Sequence, residues 1–574
     1  MDCSSEQRQM ITEPLLSNGK GGIRTIPFIL ANEAFERLAS FGLSTNMIMY
    51  LTREYDMDAA QGAQLLFLFS SATNFTPILG AVLADSYVGR YRMIGFGCMA
   101  SLLGMVLLWL TTFPEARQPL CVHFSTHSCN SRSTLQLVHL YTAFGFMAIG
   151  AGGIRSSSLA FGADQLSITH NLQCARIRES FFRWYYVTVV ASVFVAMTCV
   201  VYIQENMGWM VGFGVPVVLM ILSALSFSLA SPFYVKSKPK ASWITGLAQV
   251  VVASFRNRSV ELSTQATVEV RYHTTGSMLP VPSKRLRFFN KACIVGNPQV
   301  DVTPDGNALD PWSLCTVDQV EDLKTLIKVI PIWSSGMLMF VNVSQGSFIV
   351  LQASTMDRHI TSKFEIPAAT FLSFAVLVIV LWVALYDRII IPLVSKIKGQ
   401  PVRLGLKKRM GIGILLSTTS MAALAIAESV RRETAIKEGF SDRPDAGLHI
   451  STFLLLPFLA LSGVAEAFTP IGQNEFFYTE LPKSMSSVAS TLNGIGMSVA
   501  SLVSSFIVRA VRDLTTVEGQ ESWVSSNINK GHYDYYYWLL ASLSLVNFLY
   551  YLVCSKSYGP SMEEQRNILA DESY

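Results

Sequence analysis

Ala31-Asn32-Glu33-Ala34-Phe35-Glu36-Arg37 lies inside the first long apolar segment of the chain, between Ile26-Pro27-Phe28-Ile29-Leu30 and the run from Leu38 to Leu51. Three ionisable groups therefore sit where a membrane-spanning helix belongs. On a helix Glu33 and Arg37 are four apart and Glu33 and Glu36 three apart, so all three point to one side. A charge at the centre of a bilayer costs about 2.5–3.5 kcal/mol on insertion scales, so three are kept only if they face protein or water. Simple neutralisation of one glutamate by Arg37 leaves the second carboxylate unexplained. The pattern reads instead as a proton site, a carboxylate that gains and loses charge beside a fixed cation that responds.

The rest of the 574-residue chain supports a membrane setting: 51% of residues are hydrophobic and only 15% charged, against about 25% charged in soluble domains. The mean hydropathy is positive. Residues 1–25 are polar and carry no signal-peptide apolar core, so the amino terminus is expected to be cytoplasmic and uncleaved. The nine cysteines have no metal-ligand spacing. Only Cys121 and Cys129 stand close enough in one polar loop to pair, and only if that loop is extracellular.

Apolar runs of roughly 20 residues recur about twelve times. They fall near 27–51, 62–84, 93–113, 134–157, 180–203, 209–235, 323–346, 366–388, 409–429, 450–475, 488–511 and 533–555, the fourth and tenth interrupted by polar and glycine-rich sequence. A basic stretch, 236–322, separates 26–235 from 323–555, and is expected to be a solvated cytoplasmic connector rather than a nucleic-acid site. The fold expected is an all-α membrane protein of about twelve helices in two six-helix bundles, with a solute held between them. Lysine and arginine gather at Arg90 and Arg92, Arg176 and Arg178, the linker, and Lys396 to Arg409, whereas Arg431 and Arg432 fall in an external loop offset by Glu433 and Glu438. That bias places both termini, 1–25 and 556–574, in the cytoplasm.

Three further stretches carry chemistry. Gly80-Ala-Val-Leu-Ala-Asp85-Ser-Tyr-Val-Gly89-Arg90 reads as a close helix approach followed by a tight turn. Gly150-Ala-Gly-Gly-Ile-Arg155 brings a permanent planar cation near the membrane interior among small residues that pack closely. The tenth run holds Glu466, Glu475 and Glu480, at least one of which needs a cationic partner. Arg155, in the other half, is the natural partner for Glu480. Arginine does not release its proton, so the carboxylate must be the titrating member of such a pair.

Taken together, Glu33-x-x-Glu36-Arg37, the Gly80–Arg90 turn, Gly152-Gly-Ile-Arg155 and Asn474-Glu-Phe-Phe-Tyr478 resemble the plant nitrate/peptide transporter family, the proton-coupled oligopeptide transporter branch of the major facilitator superfamily. Pro331-Ile-Trp333, the stretch from Gln352 to Arg358, Tyr386-Asp387-Arg388 and Pro482–Ser486 match as well, and the likeness runs from about residue 25 to residue 555. The first plant subfamily, mostly low-affinity nitrate transporters of the plasma membrane, is the nearest in pattern. The resemblance implies a proton-coupling cluster at Glu33, Glu36 and Arg37, and an inter-bundle pair of Arg155 with Glu480. Candidate substrate contacts are Arg37, Arg155, Asn342, Gln345 and Glu475. Three positions depart from the family: Arg155 replaces a usual lysine, Arg183 a usual asparagine, and Val343 the histidine of the dual-affinity nitrate member.

These residues imply a symporter driven by the proton gradient, with no cofactor or metal, whose partners are protons, the lipid bilayer and a small anion. Nitrate leads by resemblance, in the plasma membrane rather than the vacuolar one. Di- and tripeptides or acidic plant hormones are the alternative substrates, and a non-transporting sensor or a channel on the same fold is the alternative class. Nothing resembles a P-loop, a nucleophile elbow or a paired-histidine metal site, which argues against an enzyme or an ATP-driven pump. Glu13-Pro14-Leu15-Leu16 has the form of a sorting signal.

Overall fold

The computed structural model describes residues 21–113, 134–166, 172–236, 243–259, 272–274, 281–297, 301–304, 306–399, 404–444, 446–482, 485–516 and 521–560. Cys121, Cys129, the Glu13–Leu16 string and the tail beyond Pro560 lie outside them. Among the described residues, eleven helical segments are long and apolar enough to cross a bilayer: Ala59–Val88, Arg90–Leu110, Thr134–Leu166, Ser180–Met207, Trp209–Phe233, Val317–Ser354, Ala368–Lys398, Leu406–Lys437, Thr452–Glu480, Thr491–Thr515 and Tyr533–Tyr558. They are spans 2 to 12. Span 1 is Ile26–Thr45, continued past a break at Asn46 by Met47–Arg53. Its three charges keep it from qualifying on composition, yet it is enclosed by spans 5 and 6.

Spans 4 and 10, whose apolar runs are interrupted by polar and glycine-rich sequence, are continuous helices, Thr134–Leu166 and Leu456–Glu480, and run past the ends expected of them. In span 4 the glycines let backbones touch instead of breaking the helix. A Cβ on Gly153 would stand 2.8 Å from both Met93 O and Gly97 Cα of span 3. Gly145, on the same helix, has open space. Gly153→Ala is therefore expected to destabilise by about 1–3 kcal/mol through overpacking. Gly145→Ala should be neutral or slightly stabilising, since alanine is the better helix former. Thermal unfolding of the two variants in detergent checks this, and equal midpoints would refute it.

The two bundles repeat one device. Each second span carries a π-turn, Ala84–Val88 at the end of span 2 and Tyr386–Ile390 ahead of the last helical stretch Ile391–Lys398 of span 8, and an arginine, Arg90 or Arg409, stands in the first turn of the third. Such bulges are frequent at functional sites. The linker is less solvated than its composition suggests. Its helix Trp243–Arg256 buries Val250 and Ala253 against Ala292, Cys293 and Cys315 and the first turns of span 7 at Val317 and Val320. Burial pushes the Cys293 and Cys315 thiols up to about 12, so both stay protonated.

Where the bundles meet, span 2 runs along span 11. Ser71 and Ser498 share a hydrogen bond of 3.0 Å there. Further polar bridges lie at the end away from the termini: Arg358 Nη1 donates to Glu205 Oε2 at 3.2 Å, Thr370 Oγ1 to Met197 O at 3.0 Å, and Ala59 N to Ser526 Oγ at 3.1 Å. This end is sealed.

Candidate functional site

Glu33 and Glu36 are both 0% exposed, as burial on one face of span 1 requires. Arg37 Nε donates to Glu33 Oε1 at 2.9 Å and lies 3.7 Å from Glu36 Oε2. From span 4, Arg155 Nη2 donates to Glu36 Oε1 at 3.1 Å, and Ser40 Oγ donates to the same oxygen at 2.7 Å. Glu36 thus lies between two guanidiniums. One oxygen of each carboxylate and Arg155 Nε are buried without a hydrogen-bond partner among the described residues. A buried ion that lacks part of its bonding is costly, and sites tolerate it where a ligand or a proton completes the set.

Arg155 lines a cavity of about 330 Å³ between the bundles. Ser40, Phe41, Phe67, Asn74 and Met147 border it from the first bundle, and Phe340, Val343, Ser344 and Met497 from the second. Arg155 stacks its guanidinium 5.9 Å from the Phe41 ring centre. It is the single charged residue among the described lining residues. Val343 borders the cavity, so the position of the absent histidine does face the space between the bundles.

Several expected contacts are placed otherwise. Arg155 does not meet Glu480. Its partner is Glu36, while Glu480, the last residue of its helix, accepts the Tyr558 hydroxyl at 2.7 Å. Glu475 pairs with Arg409 at 2.7 Å on the outside of the second bundle. Asn342 donates to Ser417 and Ser544, and Gln345 accepts from Tyr536, so both point into the interior of the second bundle and away from the cavity. A helical turn that starts at a cavity wall necessarily aims some of its polar residues the other way. Arg183 is exposed. The acid of span 10 left without an ion pair among the described residues is Glu466, which is held by Ser462.

One buried group escaped the sequence reading. Arg431, assigned there to an external loop, is 1% exposed within span 9 and clasps Glu428 by two bonds of 2.8 Å. The signal was available: an acid and an arginine three apart at the end of an apolar run neutralise each other and let the helix continue.

Two apolar-walled bundles around a cavity with one buried cation define a membrane transporter. The chain belongs to the POT family, whose sequence profile (PTR2) matches residues 91–524. It is 52% identical over 554 residues to Protein NRT1/PTR FAMILY 1.2 of Arabidopsis thaliana, covering 96% of this chain and 91% of that one. It is 49% identical to Protein NRT1/PTR FAMILY 1.1 of the same plant, with 98% and 96% covered. Among solved structures, an auto-inhibited POT family peptide transporter superposes with a TM-score of 0.67 over 93% of this chain and 97% of the other at 19% identity, a likeness of fold.

Proposed function

We propose that the protein is a proton-coupled symporter for a monoanion, working by alternating access, with both termini in the cytoplasm and Glu36 as the proton acceptor. The observation that carries this reading is the sharing of Glu36 by Arg37 and Arg155 at the edge of a cavity that holds no other described charge. While Glu36 is ionised it holds Arg155. A proton on Glu36 removes that pull and leaves the guanidinium in need of an anion. Proton and anion therefore favour each other's binding, which is the condition for symport. Glu480, which accepts the Tyr558 hydroxyl here, is the partner of Arg155 in the opposite state of this cycle.

Nitrate is the favoured substrate by family, in the plasma membrane. The cavity supports a second reading. Its phenylalanine and methionine walls enclose far more space than a nitrate ion fills, and suit an organic carboxylate with an apolar body. A dipeptide fits less well, since no described lining residue is an acid for its ammonium group. Voltage-clamped oocytes given nitrate, apolar monocarboxylates and dipeptides at acid and neutral external pH test the choice. The expected result is an acid-stimulated response to one of the two anion classes. In Arg155→Gln that response should fall roughly ten- to hundredfold, the worth of a hydrogen bond to a charged group. An undiminished response in that variant, or a response to dipeptides alone, would sink the reading.

A further inference from the structure

At the terminal end of the second bundle, spans 8, 9 and 10 enclose a groove of about 430 Å³ that the transport cycle does not use. Two hydrogen-bond donors line it with nothing to donate to: Trp382 Nε1 and Arg409 Nε are buried and have no partner among the described residues. Arg409 Nη1 bonds Glu475 at 2.7 Å, and its guanidinium stands 5.7 Å from the Tyr386 ring centre. Asp387 lies in the same groove.

The first bundle explains what is missing. Its corresponding arginine, Arg90, donates through Nε to Asp85 at 2.9 Å and through Nη1 to Asp164 at 2.8 Å. In the second bundle Glu475 does the work of Asp164. Asp387 occupies the same place in its π-turn as Asp85, but makes no ion pair with Arg409 among the described residues. The acid is present but leaves Arg409 Nε without its bond, and a cavity lies beside them. Orphaned donors of this kind are costly when nothing completes them.

The surroundings define the missing group. The helix below the groove ends in Lys396 and Lys398, and above it Leu381, Leu385 and Ile389 are exposed apolar residues, so the groove sits at the depth where hydrocarbon gives way to headgroups. Two acids and one arginine leave the groove itself with a net negative charge, which disfavours a ligand that is purely anionic. We propose that it binds the phosphoethanolamine headgroup of a membrane glycerophospholipid. The phosphate accepts from Trp382 and Arg409, and the primary ammonium donates to Asp387 and to the open side of Glu475. The acyl chains run along the exposed leucines of span 8. A choline headgroup has no N–H to donate, and a glycerol headgroup has no cation.

The test is native mass spectrometry of the full-length, delipidated protein titrated with phosphatidylethanolamine, phosphatidylcholine and phosphatidylglycerol of matched chains, and with chain-free glycerophosphoethanolamine. Phosphatidylethanolamine is expected to be retained in preference to the other three. Trp382→Phe keeps an aromatic ring against Phe468 while removing the indole N–H, and it should lower that retention about tenfold. Asp387→Asn should narrow the preference over phosphatidylglycerol, and it provides a second readout if the tryptophan variant is poorly folded. Equal retention of phosphatidylethanolamine by wild type and both variants would overturn the proposal. So would equal binding of the choline or glycerol lipid by the wild type. Binding of the chain-free headgroup as tightly as the lipid would also overturn it, marking a site for a soluble phosphate ester instead.

Discussion

Glu36→Gln is expected to reach the membrane, to bind anion at neutral pH as tightly as the wild type does in acid, and to lose acid-driven accumulation altogether. Glutamine is a fixed copy of the neutral carboxyl. It frees Arg155 from the 3.1 Å pair at every pH, while Arg37 keeps Glu33 at 2.9 Å, so the span retains most of its internal neutralisation. In the wild type the pair is intact while Glu36 is ionised and weakens as falling pH protonates it, so anion affinity should rise in acid. The gap between the two states is the worth of one charged hydrogen bond, roughly ten- to hundredfold in affinity. Two measurements separate the effects: labelled-anion counterflow in liposomes, which the variant should support, and uptake driven by an imposed proton gradient, which it should not. Acid-stimulated accumulation of wild-type size by Glu36→Gln would end the assignment of Glu36 as the coupling acid. Glu33→Gln, whose carboxylate pairs with Arg37 instead of the cavity arginine, should retain part of the coupling.

The second large effect is on stability. Glu428→Ala strands Arg431, which is fully buried and sits in the middle of a network. Besides its two bonds to Glu428, Arg431 donates to Asn529 Oδ1 at 2.7 Å and to Ile528 O at 2.8 Å, while Gln352 Nε2 donates to Glu428 at 2.5 Å. Removing one member of a buried pair costs about 3–5 kcal/mol, because the survivor stays charged and unpaired. That is a large part of the 5–15 kcal/mol that holds a typical protein folded. The variant should unfold at markedly lower temperature in detergent and yield little monodisperse protein. The double change Glu428→Leu with Arg431→Met removes both charges and should recover most of the loss. A single variant as stable as the wild type would refute the role. The network also anchors the segment carrying Ser526, which bridges to Asp58 and Ala59 of the other bundle, so partial variants should loosen the contact between the bundles at this end.

Much of this was legible from residue order alone. The spans follow from apolar run length, because a hydrocarbon core of fixed thickness admits only helices of about twenty apolar residues. The Glu33–Arg37 pair follows from a spacing of four on one helix, and the Asp85–Arg90 turn from the strictness of its glycine-flanked geometry. All of these are local, set by backbone periodicity within a few residues. Span 9 was cut short for the same local reason: a charge-bearing last turn looks like a loop until its charges are known to face each other.

What tertiary structure decided was which distant groups meet. Composition offered Arg155 three acids in span 10; the fold supplied Glu36, 119 positions away in sequence, because spans 1 and 4 pack in the same bundle with those faces opposed. It turned Asn342 and Gln345 inward, sent Glu475 to Arg409, and buried Arg431. Such choices depend on the rotation of each helix about its axis and on its neighbours, and a rotation of one residue, about 100°, moves a side chain from cavity to core. The sequence of this protein determined how many helices cross and where charge must be hidden; only their packing determined which charge answers which.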